Sequence, residues 1–551
     1  DYLQDENLGN ELLIGYGYTQ SIFSTYEKVF LGLGVCIIWV FLFGELFLKG
    51  RKKECWRTVS IYMGLVFLLS IAYAENSFDN SNTMFDTYQK NSEALVTSMI
   101  TAEEKGVATG KWGLGIWSDA AGERFSYPAG VTLNYGEWDC GYNVNEPKIA
   151  VIDTAYNRRM ASVGNSVVFE NGDSAIITEI VSFKDDKEWL ILSLDTAETL
   201  SVYKNGEIDT IKYCEAGKYY DGELSSYNSQ YGLQGKIFRH IARLLEENST
   251  EWMNLLCAIL AACVFALITL LIYKKYSLLL AGCFYFTFLL SPWIVAVARN
   301  LYWVEFTWFL PMAVGLVCSL SIEKKSVRVF CYFCAFVTVA VKCLCGYEYI
   351  TTIMMSMIAF LLVDFVVAIS RKEKAKCMKV LITIFMLGCS ALAAFFAVLL
   401  FHSYMLGEGS ISLGFKYVLE NLIQRRVGGG DLNSFSENYW VVENGSAWQA
   451  LKKFFHMETQ IVVGIDGNLF PLLCLSPVLI FCYDYFQKKN NIELVALYCV
   501  FFVTCISWFV LAKSHSLAHG TLNWQMWYFG FVQICFYIIL EWITHIKRES
   551  K

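Results

Sequence analysis

The chain has 551 residues, of which 55% are hydrophobic and only 17% are charged, and its formal net charge is −7. This composition excludes an ordinary soluble globular protein and is typical of a protein with many membrane-spanning helices. Because the basic residues form short, evenly spaced clusters, the charge does not predict a nucleic-acid partner.

Eleven apolar runs are long enough to cross a hydrocarbon layer of roughly 30 Å. They lie at 28–48, 57–74, 253–273, 277–298, 304–321, 328–345, 350–370, 378–401, 467–487, 491–512 and 526–544. Basic clusters such as "KGRKKECWR" and "SRKEKAKCMK" lie between alternate runs, and the positive-inside rule places that side in the cytoplasm. The predicted fold is an α-helical polytopic membrane protein with about 11 transmembrane helices and an external N-terminus.

The predicted spans divide the chain into six regions. They are an external N-terminal segment (1–27), the first two transmembrane helices (28–74), a large external loop (75–252), six transmembrane helices (253–401), a second external loop (402–466), and three transmembrane helices with a cytoplasmic tail (467–551). Both large loops would therefore lie on the outer side of the membrane.

The large external loop has three predicted parts. Leu95, Met99 and Ala102 recur at helical spacing, which predicts an amphipathic helix at 85–106. Segments such as "KIAVIDT" and "SAIITEIVSF", separated by turns such as "ENGD", predict a small β domain at 109–215. The stretch 229–247 is strongly amphipathic, with a basic face, and is typical of a helix in the membrane interface.

The second external loop contains two further interfacial helices by the same criterion. "FKYVLENLIQRR" ends in Arg425 and Arg426, and "GSAWQALKKFF" follows after the flexible stretch "VGGGDLNSFSENYW". The paired arginines could hold a diphosphate, or they could contact lipid and the end of their own helix.

Polar residues are concentrated at the predicted outer ends of the spans. They include Arg299, Asn300, Glu305, Lys342, Glu348, Lys513, His515 and His519. Ionisable groups beside apolar spans are costly unless they pair or line a wet cavity, so a cavity that opens outward is predicted. The alternative for any single residue is an anchor that is solvated by lipid headgroups.

Acidic residues follow the second span, at Asp79, Asp86 and Glu93. A carboxylate there could take the proton from an attacking hydroxyl while Arg, Lys or His holds a leaving phosphate. Tyr227 and Gln230 could line a sugar site. The alternatives are helix capping for the acids and a simple turn for the polar pair. No metal site is evident from the sequence, and the cofactor stays unknown.

With this order of elements, the chain resembles the integral-membrane glycosyltransferases of the GT-C fold over roughly residues 57–402. The shared features are a span, a long external loop that opens with acidic residues, six further spans and a second loop with interfacial helices. The adjacent acidic pair common at the start of that loop in the family is absent. The inserted β domain and the extra first span are not general family features either.

The resemblance implies inverting transfer of a sugar from a polyprenyl-phosphate or polyprenyl-diphosphate donor. The acceptor would be a glycan, lipid or protein on the outer face of a bacterial cytoplasmic membrane, as in the synthesis of cell-envelope polysaccharide. Asp86, Asp79 or Glu93 would be the general base, and membrane lipids would be the other partners. A glycan polymerase or ligase would need the same pocket.

Two other classes of function stay open. A transporter or flippase needs a polar path across the membrane, for which Asp364 is the one deep candidate. A sensor or assembly protein would use the β domain to bind a partner.

Overall fold

The computed structural model describes fifteen stretches of the chain. They are residues 52–76, 90–119, 122–123, 131–133, 147–169, 171–184, 188–195, 207–208, 211–215, 218–245, 249–427, 445–457, 459–489, 491–518 and 522–549. The chain divides into two compact units. The membrane unit comprises Asp1–Tyr88 and Glu251–Lys551, and the loop unit comprises Gln89–Thr250.

The protein is mostly helical. In chain order the α-helices are α1 (Lys52–Glu75), α2 (Lys90–Glu104), α3 (Ala155–Met160), α4 (Leu233–Leu245), α5 (Ser249–Lys275), α6 (Leu278–Leu290), α7 (Pro292–Ala298), α8 (Phe306–Leu320), α9 (Lys325–Cys345), α10 (Ile350–Ser370), α11 (Lys374–Leu406), α12 (Ile411–Tyr417), α13 (Gln424–Val427), α14 (Ala447–Phe454), α15 (Phe470–Phe486), α16 (Ile492–Leu511), α17 (Lys513–Ala518) and α18 (Phe531–Glu549). A π-helix, Val418–Ile423, joins α12 to α13, and a 3₁₀-helix, Asn523–Tyr528, precedes α18.

Seven helices of the described residues are long and apolar enough to cross a membrane, namely those in α1, α5, α9, α10, α11, α15 and α16. Helices α6 and α7 pass the same test only together, and α8 and α18 contain shorter apolar stretches. The predicted span 28–48 lies outside the described residues. The described residues therefore contain seven or eight candidate spans, which is compatible with an integral membrane protein, and the count of about 11 is not confirmed.

The predicted span 277–298 is not one straight helix. Its two halves, α6 and α7, are bent by 63° relative to each other. Pro292 has no backbone N–H and opens α7, while the Ser291 hydroxyl accepts a hydrogen bond from the N–H of Ile294 at 3.4 Å. A proline at the first helical position and a serine cap start a new helix instead of continuing the old one.

Helix α10 occupies the centre of the membrane unit and packs against α8, α11 and α16. Gly315 of α8 allows the closest of these contacts, because a Cβ atom there would lie 1.7 Å from the carbonyl oxygen of Met357. Elsewhere in this unit the rings of Phe309 and Phe529 stack with their centroids 4.2 Å apart. Such interlocking contacts hold the helix ends, and therefore the polar loops between them, in fixed positions.

The described part of the loop unit combines three helices, α2, α3 and α4, with two sheets. The strands are β1 (Gly115–Asp119), β2 (Gly122–Glu123), β3 (Val131–Leu133), β4 (Lys148–Ile152), β5 (Ser166–Val168), β6 (Ser174–Lys184), β7 (Glu188–Leu194), β8 (Glu207–Ile208), β9 (Lys212–Glu215), β10 (Lys218–Tyr220) and β11 (Glu223–Ser226), with β12 (Gln460–Val462) and β13 (Ile465–Asp466) in the membrane unit. Helix α2 packs against α4 and against a small sheet with strand order β11-β1-β2. A larger antiparallel sheet, with strand order β10-β9-β5-β6-β7-β4-β3-β8, lies between β2 and β11 in the sequence.

The predicted parts of the large loop correspond to these elements with shifted boundaries. The helix predicted at 85–106 is α2, and the helix predicted at 229–247 is α4. The strands continue past the predicted limit of 215 to Ser226, because β11 returns to pair with β1. Between β5 and β6, in the predicted turn, Gly172 has a φ of +87°, a conformation that favours glycine.

Candidate functional site

The predicted site residues fall into three groups. Asp79, Asp86 and His519 lie outside the described residues, and the side chain of Arg425 is not described. Glu93, Tyr227 and Gln230 belong to the loop unit. Arg299, Asn300, Glu305, Glu348, Arg426, Lys513 and His515 belong to the membrane unit, which carries the geometry described next.

The loop between α7 and α8 is shaped by Asn300. Its side-chain oxygen accepts hydrogen bonds from the N–H groups of Tyr302 and Trp303 at 3.0 and 3.1 Å. Val304 has a φ of +40°, which is strained for a β-branched residue and must be held by its surroundings. In this structure Asn300 therefore uses its side-chain oxygen to hold the loop.

Arg299 is also engaged with backbone. Its guanidinium donates to the carbonyl oxygen of Ala74 at 3.3 Å, and its own carbonyl accepts from the side chain of Asn254 at 2.8 Å. These contacts tie the loop to α1 and α5. The structure thus gives Arg299 and Asn300 anchoring contacts, while their predicted substrate contacts stay predictions.

Glu305 ends the same loop and is completely buried. Its Oε1 atom accepts from Nε2 of Gln525 at 2.7 Å, and that nitrogen also donates to the carbonyl oxygen of Trp293 at 3.1 Å. Burial raises the pKa of the Glu305 carboxyl well above its usual range, which favours the neutral form. Among the described residues, neither Oε2 of Glu305 nor Oε1 of Gln525 has a hydrogen-bond partner.

Three charged residues lie around the loop between α9 and α10. Glu348 is in this loop, Lys342 is in the last turn of α9, and Arg426 belongs to α13. Lys342 is 2% exposed, and its Nζ donates to the carbonyl oxygen of Gly346 at 2.8 Å. Nη2 of Arg426 lies 3.3 Å from Oε1 of Glu348, and these two side chains are 17% and 8% exposed. Both act electrostatically on Lys342. We call Lys342, Glu348 and Arg426 the charged cluster.

Aromatic rings join the two loops. The ring of Tyr349 lies 6.2 Å from that of Trp303 and 5.1 Å from that of Trp308, and Nζ of Lys342 lies 5.8 Å from the ring centre of Trp308. Tyr349 has a φ of +62°, a second strained position beside the charged cluster. The charged cluster and the Glu305–Gln525 pair therefore belong to one site.

His515 and Lys513 take different positions at this site. The ring of His515 packs against Tyr349, with centroids 6.2 Å apart, and so lies beside the charged cluster. Lys513 instead donates to the carbonyl oxygen of Gly445 at 2.6 Å, so its ammonium group holds the backbone just before α14.

The π-helix positions Arg426. A Cβ atom at Gly414 in α12 would lie 1.8 Å from the carbonyl oxygen of Ser403, so the segment fits closely against the end of α11. The π-helix follows α12, and α13 then packs on α17. Sequence periodicity predicts an ordinary α-helix here. It cannot indicate that the turns widen into a π-helix just before the short helix that carries Arg426.

Two of the three predicted residues of the loop unit, Glu93 and Gln230, are buried, and Tyr227 is half-buried. Glu93 lies in the first turn of α2 and is buried, as is Gln230 just before α4. Within the described part of the chain, neither amide atom of Gln230 has a hydrogen-bond partner. The backbone N–H of Tyr227 donates to the carbonyl oxygen of Leu114 at 3.0 Å.

Asp364 lies in a separate cluster, at the opposite ends of α8 and α10. Both of its carboxylate oxygens accept from Nζ of Lys275, at 2.7 and 2.9 Å. The hydroxyl of Ser319 donates to the same carboxylate. We call Lys275, Asp364 and Ser319 the paired cluster, because one cation meets one anion and a hydroxyl completes the bonding.

The stretches that the structure describes contain no group of three or more His, Cys, Asp or Glu side chains arranged to hold a metal ion. Comparisons with protein-family models, curated proteins and solved structures give no significant match to this chain. The chemistry of the site is therefore argued from its own side chains. The described residues supply two basic side chains beside one carboxylate, a buried carboxyl–amide pair and several aromatic faces.

Proposed function

We propose that the protein is an integral-membrane glycosyltransferase that moves a sugar from a polyprenyl-phosphate or polyprenyl-diphosphate donor to a glycan, lipid or protein acceptor. The reaction would take place on the outer face of a bacterial cytoplasmic membrane. The observation that carries this proposal is the charged cluster, in which Arg426 pairs with Glu348 and the charges of both act on the buried Lys342.

Excess positive charge among apolar helices is costly unless a ligand balances it. A lipid-linked phosphate is a fitting ligand, because its hydrocarbon chain can stay in the membrane while its anion reaches the helix ends. Aromatic rings beside the cluster suit the apolar faces of a sugar. Donor recognition of this kind supports the transferase proposal.

The reaction needs a base and a stabilised leaving group. A carboxylate would take the proton of the acceptor hydroxyl as its oxygen attacks the anomeric carbon from the face opposite the phosphate. The bond from that carbon to the phosphate oxygen would break, and Lys342 and Arg426 would stabilise the departing anion. Asp86, Asp79 and Glu93 stay the predicted bases.

The alternatives receive less support. A transporter needs accessible polar groups along the membrane, whereas Asp364 is closed in the paired cluster. A polymerase or ligase for lipid-linked glycans would use the same charged cluster and is a variant of this proposal. A sensor role for the loop unit would leave the charged cluster unexplained.

The test is a transfer assay with the full chain in lipid nanodiscs, using synthetic polyprenyl-linked sugars and a mixed glycan acceptor pool. We expect release of the polyprenyl carrier that depends on Arg426. In Arg426→Met the rate should fall about 100-fold, a typical loss when one charge-stabilising contact is removed from a transition state. Lys416→Met, a matched change at an exposed position of α12, should transfer normally.

Failure of every lipid-linked sugar to react would count against the transferase proposal. A density map with added undecaprenyl phosphate provides an independent readout. Phosphate density beside Arg426 and Lys342 is expected, whereas a continuous polar path past Asp364 would favour transport.

A further inference from the structure

We infer that the ends of α8 to α11 on the predicted cytoplasmic side bind the headgroup of an anionic phospholipid with two phosphates, of the diphosphatidylglycerol type. This surface is separate from the charged cluster, and the inference does not depend on the proposed function. It rests on basic side chains of two neighbouring loops and on the apolar stripes that continue from them.

The two loops lie side by side at one end of the membrane unit. One joins α8 to α9, and the other joins α10 to α11. The hydroxyl of Ser319 donates to the carboxylate of Asp364, which brings the ends of α8 and α10 together. Lys379 of α11 donates to the carboxylate of Glu323 in the first of these loops. Residues 323–328 and 371–379 therefore form one surface, which we call the basic patch.

The basic patch contains eight basic residues and two acidic ones, and both acidic residues are already engaged. Glu323 pairs with Lys379, and Nζ of Lys376 lies 3.4 Å from Oε2 of Glu373. The hydrogen bond from Lys379 holds the pKa of the Glu323 carboxyl below its usual range. The carboxylates of the patch are thus occupied by two of its lysines.

Other cations of the basic patch are uncommitted. Four of its exposed basic side chains have charged groups that no hydrogen bond or ion pair engages among the described residues, namely Lys325, Arg371, Lys372 and Lys374. Like charges placed so close together repel one another, and an anion relieves that repulsion. Basic clusters at the cytoplasmic ends of membrane helices are typical binding sites for anionic lipid headgroups.

The surface beside the basic patch suits a lipid and not a soluble anion. Exposed apolar side chains continue from the patch along two helices, namely Val329, Phe333 and Phe336 on α9 and Met378, Ile382 and Phe385 on α11. Each set recurs at helical spacing and forms one stripe on its helix. Acyl chains would cover these stripes while the phosphates of the same lipid meet the cations.

The position of the free cations favours two phosphates in one lipid. Lys325 belongs to the start of α9, whereas Arg371, Lys372 and Lys374 surround the loop between α10 and α11. Once the first phosphate is bound at one loop, the second is held near the other loop at a high effective concentration. A lipid with one phosphate lacks this advantage.

The test measures lipid binding to the full chain in detergent by native mass spectrometry. The probes are diphosphatidylglycerol, phosphatidylglycerol and phosphatidylethanolamine with matched acyl chains. We expect the first to bind about tenfold or more tightly than either of the others. Equal binding of phosphatidylethanolamine would overturn the inference, because a zwitterionic headgroup does not need the basic patch. Equal binding of phosphatidylglycerol would overturn the requirement for two phosphates.

Lys372→Gln tests the basic patch against a closely matched control. Lys372 and Lys488 are exposed lysines just beyond the ends of α10 and α15, with φ angles of +58° and +56°. Only Lys372 belongs to the basic patch. Lys372→Gln should weaken diphosphatidylglycerol binding about fivefold, whereas Lys488→Gln should leave it unchanged. Equal losses in the two variants would indicate general attraction to positive charge and would overturn the inference.

Two further variants extend this test to both loops. Arg371→Gln/Lys372→Gln/Lys374→Gln should weaken binding about 100-fold, and Lys325→Gln should weaken it about fivefold. These side chains are exposed, so stability in an SDS titration should not change. Wild-type affinity in the folded triple variant would overturn the inference. Should the triple variant fail to fold, wild-type affinity in both Lys325→Gln and Lys372→Gln would overturn it equally.

A deacylated competitor distinguishes a lipid site from a site for soluble anions. Deacylated diphosphatidylglycerol keeps both phosphates but has no acyl chains. We expect it to displace the intact lipid only at a concentration at least about 100-fold higher, because it cannot cover the apolar stripes. Displacement at a similar concentration would make the basic patch a site for soluble phosphates or an acidic partner, and would overturn the inference.

Discussion

The paired cluster and the charged cluster of the membrane unit differ in the number of basic residues that accompany one carboxylate. In the paired cluster Lys275 and Asp364 match one to one, and Ser319 completes the hydrogen bonding. In the charged cluster Arg426 pairs with Glu348, and a second basic residue, Lys342, is buried near both, beside two residues with strained backbone, Val304 and Tyr349. A balanced cluster can serve stability alone, whereas an unbalanced one next to strained loops indicates a ligand site.

The largest effect is expected from breaking the paired cluster. Asp364→Leu would leave Lys275, whose side chain is only 12% exposed, without its counterion, and we expect a loss of about 3 kcal/mol in the free energy of unfolding. Unfolding by SDS in mixed micelles measures this change. The double variant Lys275→Met/Asp364→Leu should recover most of the loss, and a double variant as unstable as the single one would refute the structural role.

The next largest effect is expected from the charged cluster, where the main loss should be in transfer activity. Arg426→Met removes the ion pair of Glu348 but leaves Lys342 close enough to act on that carboxylate, so the free energy of unfolding should fall less than in Asp364→Leu, by about 1–3 kcal/mol. Transfer should still fall about 100-fold because the phosphate loses a cation. A large loss of stability with normal transfer per folded molecule would reverse the roles we give to the two clusters.

The pH dependence of stability tests the buried pair of Glu305 and Gln525. Its folded-state pKa is raised, so the folded protein binds a proton that the unfolded chain has released. Stability is therefore greatest below the unfolded pKa of about 4.3 and falls as pH rises towards the folded pKa, by about 1.4 kcal/mol per pH unit. Glu305→Gln should remove this slope and stabilise the protein at neutral pH. A slope that persists in the variant must come from another group.

The class of the protein and the location of its polar loops could be predicted from the sequence. Span length and apolar composition are properties of the chain itself, and "LSPW" already contained the serine and proline that bend the span at 277–298. The polar residues at the ends of spans likewise indicated Glu305 and Glu348, and the paired arginines of the second external loop indicated Arg426.

The contacts within the site depend on tertiary packing and could not be predicted in this way. Glu348 and Arg426 are 78 positions apart in the sequence, and their pairing requires the π-helix and the close fit at Gly414. Asn300 and Arg299 stay predicted ligand contacts, and the structure adds that their side chains hold backbone groups. Such roles depend on backbone conformation, which residue types at the ends of spans do not specify.

The smallest effect is expected from the third member of the paired cluster. Ser319→Ala removes one hydroxyl donor from Asp364 but leaves Lys275 in place. The free energy of unfolding should fall by about 1 kcal/mol, the usual value of one hydrogen bond, and transfer should not change. The same SDS titration and transfer assay measure both quantities. A marked fall in transfer would mean that the paired cluster takes part in function, and the contrast between the two clusters would no longer hold.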